Sequence, residues 1–333
     1  MLREVSPGIF MITQMKRTRL ASFSVNVYVI AGKDGLVFDA GMGGAKAGDY
    51  LVRQIRAIEN TMQERGQACA ITRVLPSHGH WDHFSGIEWL RKKLGLKVLA
   101  PPEMQAIIGS KKKYRKSFRK ETRIINIPSG IIRRLASDLG HFIMDELFFR
   151  IYKATFVSGP MDRVDEHTVF TINQEDWELM KMPGHCDDDI VLFNRTRGVL
   201  LCGDIVLRVV NTWIGPPRSN LERYCESLEK LKALPGLALI LPAHGSPITE
   251  PYTRLQAAID HRHTRTQDVL DLIKNAGDRG IDFEKMFKSI YPSLSFKERF
   301  IARGWILLTL QHLVERNRVG SRIVKKRKRF YIL

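Results

Sequence analysis

The chain has 333 residues, of which 44% are hydrophobic, and a formal net charge of +18 with a pI near 9.9. A chain of this length can bury a full core and form one large domain plus a small one, and no stretch approaches the ~20 apolar residues of a membrane-spanning helix. The positive charge concentrates anions, which suits nucleic acid, acyl-coenzyme A, phosphorylated molecules or a membrane surface equally well.

The N-terminal residues and the cysteines indicate a compartment. No basic run followed by an apolar run opens the chain, so we expect a cytoplasmic protein without a membrane span. The four cysteines, at positions 69, 186, 202 and 225, form no C-x-x-C pair and no disulfide framework, which is typical of a reducing compartment. Cys202 is expected to be a small buried strand residue, the alternative being a thiolate near a metal.

The first elements form a predicted β-meander followed by a helix. Residues 9–13, 24–31 and 36–39 have the composition of strands, and the turn at residues 32–35 contains residues that tolerate a positive φ. Residues 44–65 place apolar side chains at helical spacing before Gly66, a natural helix stop.

A dense group of metal-binding side chains follows the next predicted strand, residues 70–76. The run has the spacing H-x-H-x-D-H, and a loop at the end of a strand lets these side chains converge. Four candidate ligands fall within six positions: His78, His80, Asp82 and His83. The sequence therefore predicts a metal site at this end of the strand. Asp39 is expected either to hydrogen-bond a ligand histidine or to accept backbone N–H groups in its own turn.

This run resembles the signature of the metallo-β-lactamase superfamily, which continues with three more ligands at well-separated positions. Candidates for all three occur in the expected order: His185 after Pro183-Gly184, Asp204 after Cys202-Gly203, and His244 before Gly245. The resemblance covers about the first two thirds of the chain. It implies the α/β (α+β) class and a four-layer αββα sandwich, to which the alternation of strands and helices after the meander also points.

The resemblance also implies two metal ions per chain. By it, His78, His80 and His185 hold one ion, Asp82, His83 and His244 hold the other, and Asp204 bridges both. Imidazole and carboxylate ligands without thiolate suit zinc, and iron or manganese less selectively. Two dications lower the pKa of a shared water, so a metal-bound hydroxide is the expected nucleophile. Asp82 is the candidate catalytic residue, because it would orient that nucleophile while bound to metal.

An insertion separates the two halves of the predicted metal site. Residues from about 109 to 165 exceed what the superfamily commonly has there, and helical spacing in residues 131–152 predicts an ordered cap or a dimer contact. In residues 111–120, seven of ten are basic and two are aromatic. This segment is a solvated helix face, a groove for single-stranded nucleic acid or a lid over a small anionic substrate. The candidate substrate-binding residues are Lys111, Lys112, Lys113, Tyr114 and Arg115.

The C-terminal third is predicted to be mostly helical. Residues 187–189 are three aspartates that we expect to cap a turn rather than to bind metal. Residues 253–275 form a long amphipathic helix, in which His261-Arg262-His263 is interpreted as structural. Residues 281–333, with two helices and a basic hairpin, resemble the winged-helix tail of one superfamily branch. The expected domains are 1–250 for the sandwich, 251–280 for a connecting helix, and 281–333 for the tail.

The expected function is hydrolysis of an ester or thioester of a small anionic molecule, in the manner that the resemblance to hydroxyacylglutathione hydrolase implies. The first alternative is an endoribonuclease or other phosphodiesterase acting on single-stranded nucleic acid. The second is a nucleic-acid-binding protein with a vestigial site. Gly79 stands where the superfamily often has threonine or serine, which removes no ligand. The sequence leaves the oligomeric state open, a homo-oligomer included.

Overall fold

The computed structural model describes residues 2–17, 22–118, 146–147, 149–293, 296–325 and 327–333. Of the predicted cap segment 131–152, residues 131–145 and 148 lie outside the described residues, and whether the segment forms a cap or a dimer contact stays a prediction. In the part of the chain that is described, no helix is both long and apolar enough to cross a bilayer.

The first sheet has seven strands that follow one another in chain order. They are β1 (Leu2–Ser6), β2 (Ile9–Arg17), β3 (Ser22–Ile30), β4 (Gly35–Phe38), β5 (Ile71–Leu75), β6 (Lys97–Ala100) and β7 (Asp162–Arg163). Pairing is antiparallel from β1 to β4 and parallel from β4 to β7. The helices between the strands are α1 (Ala45–Glu64), α2 (Trp81–Phe84), α3 (Ile87–Leu94), α4 (Pro102–Ile108) and α5 (Lys111–Phe118).

The second sheet has five strands in the order β12-β11-β10-β9-β8. Its strands are β8 (Val169–Ile172), β9 (Glu175–Lys181), β10 (Ile190–Asn194), β11 (Val199–Gly203) and β12 (Leu239–Pro242). Every residue of β10 and β11 is buried, as expected for strands that are covered on both faces. Because successive side chains of a strand point to opposite faces, Leu192 packs in the core between the sheets while Val191 and Phe193 pack in the core outside them.

The outer core joins the second sheet to the C-terminal elements. These are α6 (Leu221–Lys232), α7 (Pro251–Asn275), β13 (Ile281–Asp282), α8 (Phe283–Ile290), α9 (Phe296–Glu315), β14 (Val319–Val324) and β15 (Arg327–Ile332). Phe287, Leu310 and Phe330 share one apolar cluster with Phe193 of β10. The four-layer αββα architecture is thus confirmed. The winged-helix assignment of the three-stranded sheet β13-β15-β14 and its helices stays a prediction, as do the domain boundaries.

The candidate site lies where strands of both sheets end. Strand β4 ends before Asp39, β5 ends shortly before His78, β11 ends before Asp204 and β12 ends shortly before His244. Since β4 and β5 are parallel and β11 and β12 are parallel, their carboxyl ends meet at common sheet edges. The fold therefore collects side chains that are far apart in the sequence.

Candidate metal centre

Three histidines form the first cluster. The Nε2 atom of His78 lies 2.8 Å from Nδ1 of His80, and Nε2 of His185 lies 3.0 Å from the same Nδ1 and 3.3 Å from Nε2 of His78. Burial lowers the pKa of all three imidazoles, and the positive charge of neighbouring side chains lowers it further. Three uncharged rings with converging nitrogens are the form in which histidine binds metal.

Two histidines and two carboxylates form the second cluster. The Nε2 atoms of His83 and His244 lie 3.8 Å and 3.6 Å from the carboxylate oxygens of Asp82. Oδ2 of Asp204 lies 3.7 Å from Nε2 of His83, 3.4 Å from Nε2 of His244 and 3.8 Å from Nε2 of His185. Asp204 therefore lies between the clusters, and the structure brings all seven predicted ligands together.

The second cluster favours a positive charge. Burial opposes the charged form of His83 and His244, but the surrounding carboxylates outweigh it, raising the pKa of His83 well above its usual range and that of His244 to about 9. Burial likewise opposes ionisation of Asp204, yet His244 and His83 hold its pKa well below the usual value. Nε2 of His83 and Oδ1 of Asp204 are buried without a hydrogen-bond partner among the described residues. Such orphaned atoms are costly in a protein interior, and this donor set fits a divalent cation.

Four of the five candidate histidines have a main-chain, hydroxyl or carboxylate partner on the ring nitrogen that points away from the centre. The pairs are His78 with Oγ of Ser77 at 3.0 Å, His83 with Oδ2 of Asp39 at 2.9 Å, His185 with the carbonyl oxygen of Trp213 at 2.7 Å, and His244 with the carbonyl oxygen of Ser24. Such partners orient the ring and determine which nitrogen faces a metal. Nε2 is the inward atom in all four.

The fifth histidine has a thiol partner. Nδ1 of His80 faces the first cluster, and its Nε2 lies 3.4 Å from Sγ of Cys186. Burial raises the pKa of that thiol well above its usual value, so Cys186 stays protonated and can donate to the ring. Cys202 is buried, as predicted, and its Sγ donates to the carbonyl oxygen of Val206.

Asp39 combines a histidine contact with a main-chain contact. Its Oδ2 accepts from His83, and its Oδ1 accepts from the backbone N–H of Ser77 at 2.7 Å. The sequence left open whether Asp39 would contact a histidine or backbone N–H groups of its own turn. The structure shows the histidine contact, and the backbone group is that of Ser77, at the start of the metal-binding run.

Comparison with known proteins identifies the family and the fold of the chain. The family described as the metallo-beta-lactamase superfamily matches residues 21–244. The chain belongs to this superfamily. The crystal structure of a superfamily protein from Thermus thermophilus has a TM-score of 0.70 at 20% identity, covering 99% of this chain and 100% of that one, which supports the shared fold.

Two curated relatives of this chain are named as hydrolases. A probable metallo-hydrolase of Bacillus subtilis, YqjP, is 24% identical over 297 residues, which is 85% of this chain and 86% of that protein. The acyl-coenzyme A thioesterase MBLAC2 of Gallus gallus is 23% identical over 247 residues, which is 73% of this chain and 79% of that protein. The protein is accordingly a metal-dependent hydrolase.

Arg218 is a site residue that the sequence analysis missed. It is 5% exposed, donates to Oδ1 of Asp187 at 2.9 and 2.7 Å, and also donates to Oδ1 of Asp188. Asp189 accepts from the backbone N–H of Cys186 at 2.5 Å, so it caps the turn as predicted. The other two aspartates instead hold a buried guanidinium beside the first cluster. Nothing in the local sequence around Arg218 signals this pairing, which spans about thirty residues of chain.

Gly79 departs from the residue often found in the superfamily, and its surroundings explain why. A Cβ atom at this position would lie 2.8 Å from Oδ2 of Asp188 and 3.1 Å from both Nη1 of Arg218 and Cγ2 of Ile107. The Asp188–Arg218 ion pair thus fills the space of a side chain at position 79. Among the described residues, these same Oδ2 and Nη1 atoms are buried without a hydrogen-bond partner.

The aromatic residues of α5 belong to the core beside the centre. Tyr114 is buried, and its ring centroid lies within 6 Å of four others, those of Phe84, Phe118, Phe149 and Phe156. The ring of Phe118 also lies 5.7 Å from that of His80. Helix α5 therefore packs against the metal-binding loop with its aromatic face.

The five basic residues of α5 divide into a paired group and an exposed group. Lys111 lies 2.5 Å from Oε2 of Glu146, and Arg115 pairs with the same carboxylate. Both cations also lie over the ring of Phe149, at 5.1 and 5.4 Å. Lys112, Lys113 and Lys116 are exposed. A substrate-binding role for this helix stays a prediction, and its three exposed lysines are the basic residues without a carboxylate partner in the described part of the chain.

Proposed function

We propose that the protein is a thioesterase that hydrolyses acyl thioesters of coenzyme A with two divalent metal ions. The observation that carries the proposal is the position of Asp204, whose Oδ2 lies within 3.8 Å of the Nε2 atoms of three histidines from both clusters. A carboxylate between two sets of ligands is the arrangement that a dinuclear hydrolytic site requires. The substrate class is supported by the thioesterase relative and by the net charge of +18, which attracts an anionic thiol carrier.

The ligands divide between two ions. The first ion would be held by His78, His80 and His185. The second ion would be held by Asp82, His83 and His244, and Asp204 would bind both ions. Nitrogen and carboxylate donors of this kind suit zinc, with iron or manganese as alternatives. Bound there, the two ions would lower the pKa of a water and polarise the thioester carbonyl.

The protein's own residues orient the reactants. The side chain of Asp82 is 16% exposed, so one of its oxygens can accept a hydrogen bond from the attacking water while the carboxylate binds metal. The rings of Phe118 and Trp213 lie 5.7 and 6.4 Å from that of His80 and form an apolar wall beside the first cluster. An apolar wall excludes competing water and accommodates the acyl chain.

A paired assay tests this function. Zinc-loaded wild type and the Asp82→Ala variant are given a panel of acyl-coenzyme A thioesters and a labelled single-stranded RNA. We expect thioester cleavage by the wild type, nearly complete loss in the variant, and intact RNA. Cleavage of RNA that is lost in the variant, with the thioesters untouched, would replace this proposal by the phosphodiesterase alternative.

A further inference from the structure

A cavity with two lysines in its lining lies at the end of β2. It has a volume of about 360 Å³ and is formed by the end of β2, the loop after β4, the first turns of α1, and Lys153. Its apolar wall includes Met15, Met42 and Tyr50, and Lys46 and Lys153 supply its charged side chains. Among the described residues, no carboxylate lines it.

Two contacts tie this cavity to the second cluster. Met15 stands opposite Ser24 in the β2–β3 pair, and the carbonyl oxygen of Ser24 accepts from His244. On the other side, the backbone N–H of Ala40 donates to the carbonyl oxygen of His83 at 2.7 Å, and this loop continues into the cavity wall. The cavity is therefore connected to His244 through the β2–β3 strand pair and to His83 through the loop after β4.

The cavity carries uncompensated positive charge. Lys46 and Lys153 are both exposed, and neither ammonium group forms an ion pair or a hydrogen bond within the described ranges. Other lysines near the site are paired, such as Lys111 with Glu146 and Lys181 with Glu103. Helix α1 adds to the charge, because its first turn contains no acidic residue and its N-cap residue, Gly44, provides no side-chain hydrogen bond.

The position of Lys153 is fixed by close packing on two glycines. A Cβ atom at Gly43 would lie 1.9 Å from the carbonyl oxygen of Lys153, and a Cβ atom at Gly44 would lie 2.7 Å from its Cδ. Lys153 itself has a φ of 53°, which is uncommon for a residue with a side chain. The stem of Lys153 therefore lies across the start of α1, where Lys46 is the second residue.

We propose that this cavity binds a phosphate group of the coenzyme A moiety, with Lys46 and Lys153 as its cationic partners. Met15, Met42 and Tyr50 would contact the uncharged pantetheine arm that connects the phosphate to the thioester at the metal centre. Two lysines without a competing carboxylate suit phosphate, which lysine binds as a point charge. This assignment rests on the proposed thioesterase function for its substrate, but the binding of the phosphate can be measured separately from hydrolysis.

The binding test uses desulfo-coenzyme A, which has no thiol to attach to metal. Its dissociation constant is measured by calorimetry with zinc-loaded wild type, the Lys46→Ala/Lys153→Ala variant, and a control, Lys92→Ala/Lys274→Ala. The control loses the same charge at two exposed positions that do not line the cavity. We expect binding by the wild type and the control, and affinity weaker by about tenfold per lysine in the cavity variant. No binding by the wild type, or an equal loss in the control, would overturn the assignment.

A kinetic test separates this assignment from the proposed function. Acyl-coenzyme A is compared with the same acyl group on pantetheine, which has no phosphate. We expect the cavity variant to raise KM for acyl-coenzyme A and to leave KM for acyl-pantetheine and both kcat values unchanged. Equal KM values for the two thioesters in the wild type would refute the phosphate site and leave the thioesterase standing. If the wild type hydrolyses neither thioester, but binds desulfo-coenzyme A and loses this binding in the cavity variant, the thioesterase function is refuted and the phosphate site is supported.

Discussion

Oδ2 of Asp39 lies 2.9 Å from Nδ1 of His83, and both side chains are fully buried. Asp39 directly follows β4, which pairs with β5, the strand before the metal-binding run, so the sheet brings Asp39 close to His83. A carboxylate in this position turns Nε2 of His83 toward the centre and increases the basicity of the ring. The proposed second metal position would thus depend on a residue that does not touch the metal.

The first prediction concerns this carboxylate. Asp39→Asn keeps the size and tolerates the φ of 68° at this position, but it removes the negative charge beside His83. We expect metal affinity to fall by roughly 10- to 100-fold. A chelator competition titration measures the change, with Asp162→Asn, an exposed aspartate on β7, as control. Equal affinity in wild type and both variants would show that Asp39 does not position His83.

The second prediction concerns a buried arginine in α7. Arg262 donates from Nη2 to the carbonyl oxygen of Thr212 at 2.7 Å, and the Thr212 hydroxyl donates to the carbonyl oxygen of Asp204 at 2.7 Å. Arg262→Met leaves the Thr212 carbonyl unpartnered, so we expect a loss of about 1–3 kcal/mol in the free energy of unfolding. We also expect weaker metal retention, because the support of Asp204 is lost.

Urea unfolding and metal analysis after dialysis check both effects. The control is His263→Ala. His263 directly follows Arg262 but is exposed, so its substitution should change neither the free energy of unfolding nor the metal content. If Arg262→Met destabilises the fold but keeps its metal through dialysis, then the arginine supports the helix packing and not the position of Asp204.

The third prediction concerns Gly79. Gly79→Ala places a methyl group 2.8 Å from Oδ2 of Asp188, and that carboxylate is held by the buried Arg218 and has little freedom to move. We expect a destabilisation of about 1–3 kcal/mol, as for overpacking elsewhere in protein interiors. Denaturant titration measures it. A variant as stable as the wild type would mean that the ion pair shifts without cost.

The fourth prediction concerns His261, which lies among Arg254, Arg262 and Arg265, with Asp268 as the nearby acid. Burial and these guanidinium groups lower its pKa to about 4. Between pH 6.5 and pH 4 the unfolded chain therefore binds a proton that the folded protein does not, so this residue makes stability fall as the pH falls. Above pH 6.5 its contribution is fully present.

His261→Gln removes that proton linkage. We expect the difference in unfolding free energy between pH 7 and pH 5 to be smaller in the variant than in the wild type. Urea titrations at the two pH values give this difference directly. An identical pH dependence in both proteins would show that His261 titrates normally in the folded state.

Much of the fold and the ligand set could be predicted because the signals are local. His78 to His83 occupy consecutive positions after an apolar strand, and each later candidate ligand follows a strand within a short motif. Two strands, β1 and β8, lack such a local signal and were not predicted. In β1 one residue is exposed and none is fully buried, so buried and exposed residues do not alternate along it. Strand β8 has only four residues, which is too short for a clear pattern.

The contacts around the ligands could not be predicted, because they join distant segments. The contacts of Arg218 with Asp187 and Asp188 depend on the packing of α6 and of the loop before it. The residues next to Arg218 in the sequence do not indicate that packing. Likewise, the sequence Gly43-Gly44 did not indicate a contact with Lys153, because that residue lies about 110 positions later, within the insertion. Tertiary packing, not propensity, decides these positions.

The most direct test of a dinuclear metal thioesterase is acyl-coenzyme A hydrolysis by one preparation before chelation, after chelation and after stepwise return of zinc, with bound zinc counted in each sample. We predict that chelated protein is inactive, that activity returns with added zinc, and that it saturates at two zinc ions per chain. Thioester hydrolysis that persists in metal-free protein, or saturation at one ion per chain, would contradict the account.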